Sequence, residues 1–217
     1  MGISENAIAA CQVVRAPASD SRAQALIRLF EQLAREEGWQ PGGELRSYLA
    51  RSTYFAAYAS QGTGSAELIG GLQLVGADSS GSSAVLPCQK VWPEIDVLGT
   101  ATPGRIGHVT MLALAKPWRG ATDGNGVPLF WHLGVELWRH CAVLGIETLW
   151  LEATPRTLSC YRRLGWPLVV RGPLRQHWGE DCYLTSLDLV TVTKSVSAKA
   201  TRSQGYRRIL GLARGAD

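Results

Sequence analysis

The run from His108 to Trp166 reads HVTMLALAKPWRGATDGNGVPLFWHLGVELWRHCAVLGIETLWLEATPRTLSCYRRLGW, and its order of patterns decides the fold. An apolar strand, Arg105 to Ala115, passes into a glycine loop from Pro117 to Gly126. Pro128 then opens an amphipathic helix, because a proline's missing N–H costs nothing in a first turn. Leu129, Leu133, Leu137, Cys141 and Leu144 form its apolar stripe, and Gly145 ends it. Ile146 to Ala153 is almost continuously apolar, the pattern of a strand buried on both faces. Thr154-Pro155 starts a short helix over 155–164 that stops at Gly165. Strand, glycine loop and helix N-terminus bring unpaired N–H groups and the positive end of a helix dipole to one place. Such a place suits the anionic arm of a cofactor.

Upstream, Ala9 to Val14 is a first strand, and Ser19-Asp20-Ser21 offers capping oxygens to a helix. Ala23, Leu26, Ile27, Phe30, Leu33 and Ala34 recur at helical spacing before Gly38. Glu44 to Arg51 is a second short helix. Residues 53–75 form an antiparallel hairpin about the turn Gln61-Gly62-Thr63-Gly64-Ser65. The polar stretch 76–104 is long for a loop inside a domain, which marks it as functional or mobile. Downstream, Pro167–Arg171 and Cys182–Val190 are a closing pair of antiparallel strands. The expected organisation is one domain over 1–190 and a basic, Ser/Thr-rich tail over 191–217 with one turn of helix near Ile209–Leu212.

The 217 residues, 46% of them hydrophobic, suffice for one full core. A formal charge of +4 is too small for wholesale nucleic-acid binding. The basic residues nevertheless cluster late, at Arg156, Arg162, Arg163, Arg171 and Arg175, and such a face suits an acidic partner or a phosphorylated cofactor. The five cysteines are scattered, with no CxxC pair, which argues against a disulfide framework and a metal site and for a reducing, cytoplasmic location. No apolar run is long enough to span a membrane.

The element order, with Arg119-Gly120 followed by Gly124-Asn125-Gly126 and with Tyr161 before Leu164-Gly165-Trp166, resembles the GNAT acyltransferases. Within that superfamily the chain resembles the acyl-homoserine-lactone (autoinducer) synthases and the long-chain N-acyl amino acid synthases. Tyr161-Arg162-Arg163-Leu164-Gly165-Trp166-Pro167, Arg171-Gly172-Pro173-Leu174-Arg175 and Gly179-Glu180 carry the C-terminal part of the resemblance. Gly70-Gly71-Leu72-Gln73-Leu74, Leu86-Pro87 and Val91-Trp92-Pro93-Glu94 carry the upstream part, in the same order. The resemblance implies an α/β (α+β) fold in one GNAT-like domain, a mixed central sheet flanked by helices, its two central strands splayed. It also implies an N-acyltransferase drawing on acyl-CoA or an acyl-carrier protein. The autoinducer synthases have Glu-x-Ser-Arg where this chain has His108-Val109-Thr110-Met111, an arginine where it has Gln73, and an acidic cluster of which only Glu44 remains. Those departures point away from homoserine-lactone chemistry and towards another small amine, an amino acid first.

In such a site the thioester arm would add as an extra strand on the main chain of Leu112, Ala113 and Leu114. Arg119, Gly120, Gly124 and Gly126 would meet phosphate, and the arginines from 156 to 175 a carrier protein's acidic helix. Tyr161 is the candidate acid for the departing thiolate, or a packed aromatic. His108, which titrates in the right range, and Glu152, acting through water, are candidate bases. Thr110 would bond the acceptor or simply favour the strand. Trp118, Trp131, Trp138, Trp150 and Trp166 line an acyl tunnel or fill the core. Competing readings are an acetyl-CoA-dependent acetyltransferase, a true acyl-homoserine-lactone synthase and a non-catalytic acyl-binding protein.

Overall fold

A computed structural model describes residues 10–60, 64–76, 86–97, 99 and 104–214. Ala9, the turn residues 61–63 and residues 77–85, 98 and 100–103 of the long loop, including Ser79 to Ser83, lie outside the described residues. Strand β1 (Ala10–Pro17) leads into helix α1 (Ser21–Glu37). Asp20 accepts the Arg22 N–H as N-cap, Gly38 closes the helix in the left-handed region, and the six apolar positions read from the spacing are its buried ones. A four-residue helix α2 (Glu44–Ser47) and a 3-10 turn (Leu49–Arg51) precede the hairpin β2 (Ser52–Ser60) and β3 (Glu67–Gly76).

Next come β4 (Ile106–Leu114), α3 (Leu129–Leu144), β5 (Thr148–Ala153) and α4 (Pro155–Leu164). Three strands follow: β6 (Val169–Val170), β7 (Arg175–His177) and β8 (Glu180–Asp188). They complete one mixed sheet in the order β1-β2-β3-β4-β5-β8-β6, with β7 paired to β8. Helix α1 packs on one face through Leu26, Ile27 and Phe30 against Tyr54, Ala56 and Met111. Helix α3 packs on the other, through Leu129, Leu133 and Leu137 against Val109, Leu149 and Leu151. Leu144 does not extend that stripe; at the helix's last turn it is exposed.

Part of the long loop is core. Leu86, Cys88, Trp92 and Val97 are fully buried against Trp150 and Leu184, and Trp92 Nε1 donates to the Pro173 carbonyl at 2.8 Å. The closing pair is also more elaborate than the expected two strands. Pro167, Gly172 and Pro173 confine β6 to two residues, and β7–β8 forms a separate hairpin.

The expected basic tail is instead two helices, α5 (Leu189–Ala200) and α6 (Gln204–Arg214). Asp188 caps α5 by accepting the Thr191 N–H at 2.6 Å. Val192, Val196 and Ile209 join the main core, and Arg139 of α3 donates to the Leu212 and Ala213 carbonyls at the end of α6. The spacing of Val192, Val196 and Ala200 was a helical signal masked by the surrounding Ser, Thr and Lys. Among the described residues no helix is long and apolar enough to cross a membrane.

Two features set the site. Strand β4 pairs with β5 only through Ile106–His108 against Thr148–Trp150. Against β3, its register passes from Gly71↔Ala113 to Gln73↔Thr110, so β4 carries one extra residue, and Met111 there has φ 52°. This bulge turns β4 away from β5. Gly71, beside it, has no room for a side chain: a Cβ would stand 2.2 Å from the Phe55 carbonyl oxygen and 2.7 Å from Leu26 Cδ2. Gly71→Ala should therefore cost about 3 kcal/mol, since backbone cannot yield as a side chain can. Gly43→Ala, whose Cβ meets nothing within 4 Å, should change stability by less than about 0.5 kcal/mol. Urea unfolding of both variants checks the pair.

Candidate active site

Past His108 the parted strands leave a groove with two joined chambers. The outer chamber, about 570 Å³, is walled by Leu112, Ala113 and Leu114 of β4, by Arg119 and Gly120, and by Phe130, Arg156 and Tyr161. The inner one, about 170 Å³, is walled by Met111, Glu152, His177, Trp178, Glu180 and Cys182. Trp39, Leu112, Ala113, Thr157 and Tyr161 border both. Ala115 N–H donates to the Ile69 carbonyl at 2.8 Å, so alternation turns the Ala113 main chain towards β3 and those of Leu112 and Leu114 towards the groove. The Leu114 carbonyl already accepts Arg119 Nε at 2.9 Å.

At the inner end a histidine meets a carboxylate. His108 Nε2 lies 2.9 Å from Glu152 Oε1, across the point where β4 and β5 separate. The histidine is fully buried, and Glu152 keeps about 12% of its side chain exposed. Burial pushes the Glu152 carboxyl up, but the charge and hydrogen bond of His108, with His177 behind them, outweigh it and hold the group below the usual carboxylate range. Glu152 is thus an anion at neutral pH, and His108 is its support, not a wall of the groove.

No protein-family profile matches the chain, and no curated protein matches it by sequence. Solved structures do. FeeM, an N-acyl amino acid synthase from uncultured soil microbes, superposes with a TM-score of 0.61 at 14% identity, over 87% of this chain and 95% of that one. BjaI, a CoA-dependent acyl-homoserine lactone synthase, gives 0.59 at 15% identity over 92% and 99%. An N-acetyltransferase, described as putative, from Lactobacillus plantarum gives 0.53 at 12% identity over 83% and 99%. The fold is that of the GNAT-like acyl synthases.

On this GNAT-like frame the residues singled out in the sequence separate into two groups. Leu112, Ala113, Leu114, Arg119, Gly120, Glu152 and Tyr161 meet at the groove. Thr110 does not: its hydroxyl donates to Gln73 Oε1 at 2.8 Å, and Gln73 in turn donates to Ser52 and Tyr54. Gly124 and Gly126 also stand apart. Asp123 accepts the N–H groups of Asn125 and Val127, and His132 Nε2 lies 3.1 Å from its carboxylate, so this part of the loop closes on itself.

Tyr161 stacks on Trp166 at 5.7 Å and packs on Phe130, and burial drives its hydroxyl well above the usual tyrosine range. It therefore stays protonated. Of the five tryptophans read as tunnel lining or core, Trp118, Trp131, Trp150 and Trp166 are buried core, and none of the five borders either chamber. Among the clustered arginines, Arg162 is held by the Leu168 carbonyl, Arg171 by Ser186 and Arg175 by Glu94. Arg156 and Arg163 remain as exposed cations of that set.

Two further aromatic walls of the groove are Trp39 and Trp178, which the sequence pattern did not single out. Each adjoins a glycine in a turn, Gly38 and Gly179, outside any helical or strand periodicity, and that was the available signal. Trp178 Nε1 donates to Glu44 at 2.8 Å and its carbonyl accepts the Gln40 N–H at 2.9 Å. The β7–β8 turn is so strapped to the end of α1 above the inner chamber.

The charge balance at Glu152 has a measurable consequence. A carboxyl with a depressed folded pKa contributes stability above its unfolded value of about 4.3, lost as pH falls through the folded value. In His108→Leu only His177 and a backbone hydrogen bond are left to oppose burial, the largest effect, so the pKa rises and the sign reverses: the variant should be less stable at pH 7 than at pH 5. Loss of one partner of a buried pair should cost about 3 kcal/mol at pH 7. Carboxyl ¹³C NMR and denaturant unfolding across this pH range read both effects.

Proposed function

We propose that the protein is an N-acyltransferase moving an acyl group from a thioester to a small primary amine. The observation that carries this reading is the groove between β4 and β5, with open main chain at one wall and an ionised carboxylate at its inner end. The thioester arm would lie in the outer chamber as an added strand on Leu112 and Leu114. The Leu112 N–H, aimed at the groove, would serve the carbonyl oxygen as charge develops on it. FeeM and BjaI, named for N-acyl amino acid and CoA-dependent acyl-homoserine lactone synthesis, have this fold, which supports acyl transfer as the chemistry.

The step balances as follows. The acceptor enters as an ammonium and gives one proton to solvent through water held by Glu152. Its nitrogen then bonds to the thioester carbon, and the C–S bond breaks. The thiolate leaves with the Tyr161 proton, which the amide-forming nitrogen's second proton replaces. Net products are amide, thiol and one released proton. His108 fixes the rotamer and the charge of Glu152.

Acyl-CoA is the donor favoured by the groove. The exposed Arg156 borders its outer chamber, beside Arg119 on its Glu37 partner, whereas three of the five clustered arginines that would have met a carrier protein are engaged within the chain. Thiol release from medium- and long-chain acyl-CoA in the presence of a primary-amine panel tests the proposal; background release throughout would remove it. Glu152→Gln should lower kcat about 100-fold with folding intact. Tyr161→Phe should cost about 10-fold, because a thiolate leaves readily without help.

A further inference from the structure

The two chambers differ in charge. The described walls of the outer one include Arg119 and Arg156 and no carboxylate. Those of the inner one include Glu152 and Glu180 and neither lysine nor arginine. The one titratable base there, His177, stacks on Trp178 at 4.9 Å and helps hold Glu152 ionised. Arg175 is paired with Glu94, and Arg119 with Glu37 and the Leu114 carbonyl, while the exposed Arg156 borders the outer chamber and not the inner one. Trp39 and Trp178 add aromatic faces, which attract a cation through their quadrupoles.

A free amino acid would fit this chamber badly. Its ammonium would be met by Glu152, but its own carboxylate would enter a chamber already walled by two others, with no lysine or arginine among its described walls. Like charges brought together in a confined site are strongly disfavoured. An amine without a carboxylate keeps the attraction and avoids the repulsion.

We propose that the acceptor is a primary amine lacking a carboxylate, of the kind left by decarboxylation of an amino acid, and that Glu180 and Glu152 exclude the parent amino acid. The proposal rests on the acyl-transfer reading and narrows it. The reaction that supplies the acceptor is then an amino-acid decarboxylation.

The test is a set of matched pairs offered to the full chain with one long-chain acyl-CoA: tyramine against tyrosine, isoamylamine against leucine. Thiol release and the amide product by mass spectrometry are the readouts. The amine of each pair should exceed its amino acid at least about 10-fold in kcat/KM. Glu180→Arg, which places a cation where the carboxylate would arrive, should shrink that ratio several-fold, and Glu180→Gln should shrink it less. Glu180 is exposed, so both variants should keep the wild-type melting temperature. Equal or better use of the amino acids by the wild-type protein overturns the proposal and leaves acyl transfer standing. Thiol release no faster than without amine, for every compound, removes both.

Discussion

Between Val109 and Leu114, strand β4 has a hydrogen-bonded neighbour on one side only. A strand interior that gives up half its ladder leaves polar main chain exposed, and such groups must find partners in water or in a ligand. The loss is forced locally. The extra residue at Met111 bends β4, and Thr154-Pro155 turns the chain leaving β5 into α4. Three register pairs remain to tie the two strands, and the tight packing around Gly71 and Leu26 keeps the bend from relaxing. The groove, its two chambers and the position of Glu152 all follow from this one interruption.

A charged group at the foot of such a groove is costly unless something answers it. His108 does so from inside the sheet, on the last paired residue of β4, while Glu152 lies on β5 just past its own last pairing with β4. The pair therefore straddles the fork, and the geometry of the fork fixes the carboxylate. An apolar pair of similar volume would hold the strands together as well, so the pair adds little net stability to the fork. The Trp178–Glu44 bond and the Gln40–Trp178 main-chain bond act at the opposite rim, bringing two sequence-distant turns together as a roof.

Much of the site was legible in residues whose environment is set by local pattern. Leu112, Ala113 and Leu114 lie on the groove, where their place at the end of an apolar strand before a glycine loop puts them. Tyr161 was placed because it precedes a helix-ending Leu-Gly-Trp. His108 and Glu152 were both singled out, but as separate candidates; 44 residues separate them, and only the parallel pairing of β4 with β5 makes them neighbours. The tryptophans stayed ambiguous for a related reason. A large aromatic reads the same in sequence whether it packs a core, as Trp131 and Trp150 do, or walls a cavity, as Trp39 and Trp178 do.

The sequence by itself determined the element order as far as α4, the caps and buried face of α1, the mixed sheet with its parted centre, and the glycine loop ahead of α3, since each rests on short-range periodicity, capping chemistry or an ordered set of motifs. It left undecided which polar groups share a chamber, that the chain after Asp188 folds back onto α3, and that half of the glycine loop closes on Asp123. Those outcomes depend on contacts between segments far apart in the chain. The free energy of such contacts exists only once the sheet has brought its faces together, and no local pattern records it.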